Sequence, residues 1–217
     1  MKDLKTVSIY NKHNFEIAKL CTKESRYHVC DVVHLTESFT EVTNGHYLVR
    51  VESAKENPEG LPSRSPDDKP IAADKTDIVI PVDTATAIEK ALPKNSSIPA
   101  LKNAWITDRS NEKATDIMTT DLELDRHFTI PKNGDHQYPS TKTIWPEDKN
   151  KVISIGFNPD YMKKLCDIFT KQKLGVIKLS LYGKDAVMLL EGNNIDTGQK
   201  TKMLLMPKKI YESAHKR

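Results

Sequence analysis

Two clusters of ligand-type side chains are the first candidates for chemistry. His28, Cys30 and His34 share one parity, so a single continuous strand would put all three on one face. Imidazole and thiolate are zinc ligands, yet a zinc site needs a fourth ligand or an open water position, and spacing places no such ligand here. Asp121, Glu123 and Asp125 also alternate. No turn glycine or further ligand follows in register, so they read as a solvated strand end and not as a cation site. The chain holds no G-x-G-x-x-G, P-loop, H-E-x-x-H or G-x-S-x-G. The expectation is a protein without catalytic residues, cofactor or metal.

Without a catalytic motif, the elements carry the information. Three segments repeat one pattern, a short strand running into an amphipathic helix. They are Val7 to Tyr10 followed by Phe15 to Cys21, Ile78 to Pro81 followed by Thr84 to Leu92, and Ile153 to Gly156 followed by Pro159 to Phe169. The starts lie 71 and then 75 residues apart. Asn14, Asp83 and Asn158 are the predicted helix caps, with Pro159 presetting φ and Asp160 suiting the positive end of the helix dipole. The predicted inward residues are Phe15, Ile17, Ala18 and Cys21 in the first helix, and Ala87, Ile88, Ala91 and Leu92 in the second. In the third they are Tyr161, Leu165, Ile168 and Phe169.

Three strand-like runs follow each helix. They are 32–35, 41–43 and 47–51; then 104–107, 115–121 and 127–130; then 176–181, 186–191 and 202–206. Asn44-Gly45 supplies turn chemistry, and Gly183 and Gly192 are placed at turns. Each unit reads β-α-β-β-β, an α+β protein. The proline-rich and charged stretch from Lys55 to Thr76 reads as a solvated connection, and so does the polar stretch from Asn133 to Lys151. The domain boundary is placed between residues 146 and 147, giving domains 1–146 and 147–217.

The chain has 217 residues, 37% hydrophobic and 29% charged, with a net charge of +3. That is a polar globular composition with no apolar run long enough for a membrane span. The N-terminal residues lack a signal-peptide core, so a cytoplasmic location is expected. Cys21, Cys30 and Cys166 are too few and too far apart for a disulfide framework. The weak positive charge neither requires nor excludes a nucleic-acid partner.

Five tracts resemble, in order, the bacterial sliding clamp, the DNA polymerase III beta subunit family. Arg26-Tyr27-His28-Val29 is similar to the R-Y-x-L of its middle domain. Thr43-Asn-Gly-His-Tyr-Leu48 resembles the T-D-G-H-R-L of the same domain. Tyr138-Pro139 with Ile144-Trp145-Pro146 resembles the F-P-D-Y-x-x-V-L-P link into the last domain. Ile155-Gly156-Phe157-Asn158-x-x-Tyr161 is similar to I-G-F-N-x-x-Y, and Leu204-Leu205-Met206-Pro207 to the V-V-M-P ending. The resemblance runs from Thr6 to Lys209. It implies a DNA clamp fold with one full clamp domain and a half domain, the first domain and the first half of the last being absent.

What the resemblance implies is a processivity factor of DNA replication, a ring whose helices face duplex DNA and slide on it through weak backbone contact. The lysines on the helices are then the DNA-facing set: Lys19, Lys23, Lys90, Lys94, Lys163, Lys164 and Lys171. It also implies a cleft for short clamp-binding peptides of polymerases and repair factors. The matching positions are Val29, Thr43, Gly45, His46, Tyr47, Leu48, Pro146, Leu204, Met206 and Lys208. Apolar residues there would supply burial, and the glycine would let another backbone approach. Two positions depart from the family. Tyr47 stands in place of arginine, and Lys208 stands in place of an apolar residue, where it would narrow or repolarise the cleft. Two functions follow: a sliding-clamp-like protein that binds DNA non-specifically, or a non-encircling interaction module that recruits or sequesters replication and repair proteins. A family ring contains twelve repeats and this chain supplies three. Four copies would be needed by count, so a homo-oligomer is one expectation.

Overall fold

A computed structural model of the chain describes residues 6–21, 31–56, 61, 68–93, 96–109, 114–131, 138–146 and 151–210. Capping chemistry sets where its helices begin. Strand β1 (Val7–Asn11) ends on Asn11, whose Oδ1 accepts from the His13 N–H at 2.9 Å. Asn14 Oδ1 accepts from the Asn11 N–H, also at 2.9 Å, closing a capping box over α1 (Lys12–Glu16). The cap is therefore Asn11, and Asn14, predicted as cap, is the buried reciprocal member. A 3₁₀ turn, Ile17–Leu20, continues α1. Strand β7 (Asp77–Pro81) passes directly into α2 (Val82–Ala91), with Pro81 at the cap position. Asp83 lies inside the first turn, where its charge still suits the dipole. The third cap agrees with expectation. Asn158 Oδ1 accepts from the Asp160 N–H at 2.9 Å and starts α4 (Pro159–Lys171).

The strands after each helix lie close to the predicted runs. They are β2 (Val32–Thr36), β3 (Phe39–Thr43) and β4 (Leu48–Glu52); β8 (Asn103–Arg109), β9 (Ala114–Thr120) and β10 (Asp125–Pro131); and β11 (Leu174–Leu181), β12 (Met188–Asn194) and β13 (Lys200–Leu205). A one-turn helix, α3 (Pro99–Lys102), precedes β8. Parts of the predicted Lys55–Thr76 connection are ordered. Strands β5 (Ala54–Glu56) and β6 (Asp68–Pro70) and a 3₁₀ turn at Ala73–Lys75 belong to it. Leu61 packs against Val7, Ile9, Trp105 and Met118, so this stretch covers a sheet face as well as meeting solvent. Ile153–Gly156 is not a strand. Only Gly156 pairs, in an isolated bridge to Lys208. Gly192 sits within β12 and not at a turn.

The chain divides into two compact units, Met1–Ser140 and Thr141–Arg217. In the first, the two repeats exchange their leading strands. β1 pairs with β8, with Asn11 opposite Asn103, and β7 pairs with β2, with Pro81 opposite Val32. One antiparallel sheet runs β10-β9-β8-β1-β5, with β6 also on β8, and the other runs β4-β3-β2-β7. Their facing residues, among them Val33, Leu35, Ile80, Ala104, Ile106 and Ile117, form one core with Phe15, Ala18, Ala85 and Ile88 of the helical segments. Within α2 the buried residues are Val82, Ala85, Ile88 and Glu89. Ala87, predicted inward, is exposed, and Ala91 is half-buried.

The second unit is a single antiparallel sheet, β11-β12-β13, with α4 against it. Phe169, Met188, Leu190 and Leu205 are its core. Leu165 is half-buried, while Tyr161 and Ile168, predicted inward, are exposed. The protein is thus α+β, with three antiparallel sheets and few helices. Among the described residues no helix is long and apolar enough to cross a membrane.

Candidate functional site

An apolar groove of about 650 Å³ opens in the second unit. Asn158, Tyr161, Lys164 and Leu165 of the α4 end form one wall; Leu204, Leu205, Met206, Pro207 and Lys208 form the other. Strand parity explains why these residues are available. Leu205 lies opposite Met188 and faces the core, so Leu204, opposite Leu189, faces out. Leu204 is 65% exposed and Met206 69%. Neither is a core residue, and together with Tyr161 they offer an uncovered apolar surface in a concave site. Three of the residues expected at a peptide cleft, Leu204, Met206 and Lys208, line this groove, while Pro146 is exposed and does not. Sequence reading missed Asn158 and Tyr161 as site residues, although both stand in the tract that carried the resemblance. Lys208 is held by its backbone. Its N–H donates to the Gly156 carbonyl at 2.8 Å, which fixes the end of the groove wall.

The other predicted cleft residues form the β3–β4 hairpin of the first unit. Thr43 Oγ1–H donates to the Tyr47 carbonyl at 2.7 Å, and Asn44 Oδ1 accepts from the N–H groups of His46 and Tyr47. Gly45 has φ +85°, and a Cβ added there would meet nothing within 4 Å. Its glycine is therefore explained by the left-handed backbone and not by a close approach of another chain. The Tyr47 hydroxyl donates to the Leu20 carbonyl and ties the hairpin to the end of the first helical segment. That gives the departure from arginine a structural role. His46 is exposed and Leu48 half-buried. Val29 lies outside the described residues.

The helix lysines are unequally available. Lys19 Nζ is 3.4 Å from Glu89 Oε1 and 3.6 Å from Glu16 Oε1. The Glu16 carboxyl is held below the usual carboxylate range, first by its hydrogen bond with His13 and then by the Lys19 charge. Lys163 Nζ lies 3.2 Å from Asp167. Lys90, Lys164 and Lys171 are exposed. Lys23 and Lys94 lie outside the described residues. A lysine not singled out in the sequence has the larger structural part. Lys12 Nζ donates to the carbonyls of Glu89 and Leu92 at 2.8 Å each and sits 3.4 Å from Glu89 Oε1. It satisfies carbonyls at the C-terminal end of α2 and neutralises a buried carboxylate.

His34 Nε2 lies 2.6 Å from Asp77 Oδ1, and its ring sits 4.7 Å from that of Tyr138. His28 and Cys30 lie outside the described residues. Asp121 Oδ1 accepts from the N–H groups of Glu123 and Leu124, which keeps that carboxyl below its ordinary range and makes it a turn-forming group. Among the described residues no group of three His, Cys, Asp or Glu side chains is placed to hold a metal ion. Comparison with family models, with curated proteins and with solved structures finds no match to this chain.

Proposed function

We propose that this chain is a sliding-clamp-like docking protein. Its second unit takes short apolar peptides of replication or repair factors, and exposed helix lysines give weak, sequence-independent contact with duplex DNA. The observation that carries the reading is the groove. It is apolar and concave, and it exposes Leu204 and Met206, two residues that the clamp resemblance assigns to peptide docking. The clamp fold has its own support in the first unit. Two β-α-β-β-β repeats exchange leading strands at the same register and build two sheets over one core, an arrangement suited to a clamp domain. Lys208 at the groove end gives a positive rim, which favours peptides with an acidic flank.

A fluorescent peptide with a leading glutamine and an apolar tail, titrated by anisotropy, tests the docking. Saturable binding is expected, weakened about tenfold by Leu204→Ala or Met206→Ala, which corresponds to about 1.4 kcal/mol. No saturation at high micromolar peptide would overturn it.

One observation favours the second reading, a non-encircling module that recruits or sequesters such proteins. Lys19 is already engaged by Glu16 and Glu89, and Lys163 by Asp167, so fewer helix cations remain for phosphate. The salt dependence of DNA binding separates the two. A protein that contacts phosphates loses affinity steeply with salt, and a module that does not bind DNA has no slope to measure.

A further inference from the structure

We propose that His34 is a proton switch in the first unit. When protonated it fastens Tyr138, and the connection that follows, to the outer face of the β4-β3-β2-β7 sheet; when neutral it lets go. The proposal does not depend on the docking reading.

Strand register builds the switch. Val33 and Leu35 enter the core, so His34 between them faces away from it. His34 lies opposite Glu41, and Glu41 opposite Arg50, so the three make one row across β2, β3 and β4. Ionisable side chains on an outer face are normally solvated. Here Glu41 is fully buried, and the His34 and Arg50 side chains are only 18% and 24% exposed. Aromatic rings supply part of the cover. Phe39 lies 3.6 Å from the Arg50 guanidinium and edge-on to His34, and the Tyr138 ring sits 4.7 Å from the imidazole. The first unit closes at Ser140, so Tyr138 holds the chain just before it passes to the second unit.

The hydrogen bonds of this row lack one donor. Glu41 Oε2 accepts from Arg50 Nε and Nη2 at 2.9 and 2.6 Å, while Glu41 Oε1 is buried with no partner. His34 Nε2 lies 2.6 Å from Asp77 Oδ1, and a carboxylate only accepts, so Nε2 carries the hydrogen. In the neutral ring Nδ1 is then a lone pair, and it too is buried with no partner. Two bare acceptors sit on paired residues of adjacent strands, and each costs stability while water is kept away. A proton on Nδ1 is the missing donor, reaching Glu41 Oε1 directly or through one bridging water. Among the described residues the charged groups facing His34 are Asp77 from β7, Glu41 from β3 and Arg50 from β4. Anions outnumber cations by one there, and a protonated His34 restores balance. Tyr138 adds an aromatic ring against which a cation is favoured. Lifting Tyr138 admits water, which supplies the donor when His34 is neutral. Docking of Tyr138 therefore takes up a proton and weakens as pH rises through the range in which histidine changes charge.

Side-chain NMR of the full chain, with carbon-13 in the histidine and tyrosine rings, reads both groups in one series from about pH 5 to about pH 8. In the wild type the Tyr138 ring signals are expected to move from ring-shifted positions at low pH toward those of a free tyrosine, with the same midpoint as His34. His34→Phe keeps an aromatic ring but binds no proton, so its Tyr138 signals should not titrate. Glu41→Gln is the sharper variant. Its carbonyl can stay on Arg50 while its amide nitrogen gives His34 Nδ1 a donor at every pH, so Tyr138 should stay docked throughout. Circular dichroism checks the fold of each variant, and if neither folds the wild-type midpoints decide. Tyr138 signals that stay fixed in the wild type while His34 titrates overturn the switch. So does a His34 ring that does not titrate in this range, or an unaltered Tyr138 titration in either folded variant.

Discussion

Lys12 shows how much one side chain can carry when its partners are distant. Its amine holds two carbonyls of the α2 end and offsets Glu89, which is almost fully buried. Lys12→Met would leave those carbonyls without a donor and Glu89 with Lys19 alone. A loss of about 1–3 kcal/mol is expected in urea unfolding. Tyr10 is a second such residue. It is fully buried, its hydroxyl donates to the Thr36 carbonyl at 2.7 Å, and burial pushes its pKa far above the ordinary tyrosine value. A group with a raised folded pKa contributes its stabilisation in full below its unfolded pKa, about 10 for tyrosine, and loses it as pH rises above that. Denaturant midpoints measured from pH 9 upward should fall above about pH 10, and the fall should be shallower in Tyr10→Phe. Equal slopes in the two proteins would assign the alkaline loss to another group.

Elements fail where a backbone has no room to change. A Cβ at Gly156 would stand 2.6 Å from the Lys208 carbonyl oxygen and 2.8 Å from Ile210 Cγ1. Gly156→Ala is therefore expected to break the bridge that fixes the groove end, seen as lost hydrogen-exchange protection at the Lys208 N–H. Gly45→Ala faces no clash but must adopt φ +85°, at a cost of about 1 kcal/mol in the stability of the first unit. Leu204→Ala and Met206→Ala should leave stability within about 0.5 kcal/mol, since both side chains are exposed, while peptide affinity falls. The helices carry the DNA test. Lys19→Glu, Lys90→Glu and Lys164→Glu together should weaken binding without sequence preference. Each lost phosphate contact should lower the slope of log affinity against log salt by about 0.9. Glu89→Ala, which leaves Lys19 with Glu16 alone, should act in the opposite direction. An unchanged slope in the triple variant would leave these lysines as solvated charges.

For the whole molecule the decisive number is the count of repeats. Two full repeats exchange leading strands in the first unit, and the second unit holds the helix and three strands of a third, without a leading strand among the described residues. Peptide docking and DNA binding can therefore be separated from ring closure by experiment. A dimer that binds peptide but not DNA would favour the interaction module. A tetramer that forms on DNA would favour the encircling clamp.

Much of this architecture was legible in the sequence because its signals are local. Strands announce themselves by parity and length, helices by caps and by period, so eleven of the strands and all three amphipathic helices could be placed within a few residues. Asn158 was readable as a cap because its hydrogen bond closes two residues away. Leu204 and Met206 were readable as site residues only through the resemblance, since an exposed apolar residue and a core residue look alike in a strand. What the sequence could not supply depends on partners far along the chain. Lys12 meets a carbonyl 77 residues away, β1 and β7 each pair in the other repeat, and Glu89 turns inward because two lysines neutralise it. Ile153–Gly156 has the composition of a strand yet is not one, because a strand needs a neighbour to take its backbone hydrogen bonds, and only the tertiary structure decides whether one is there.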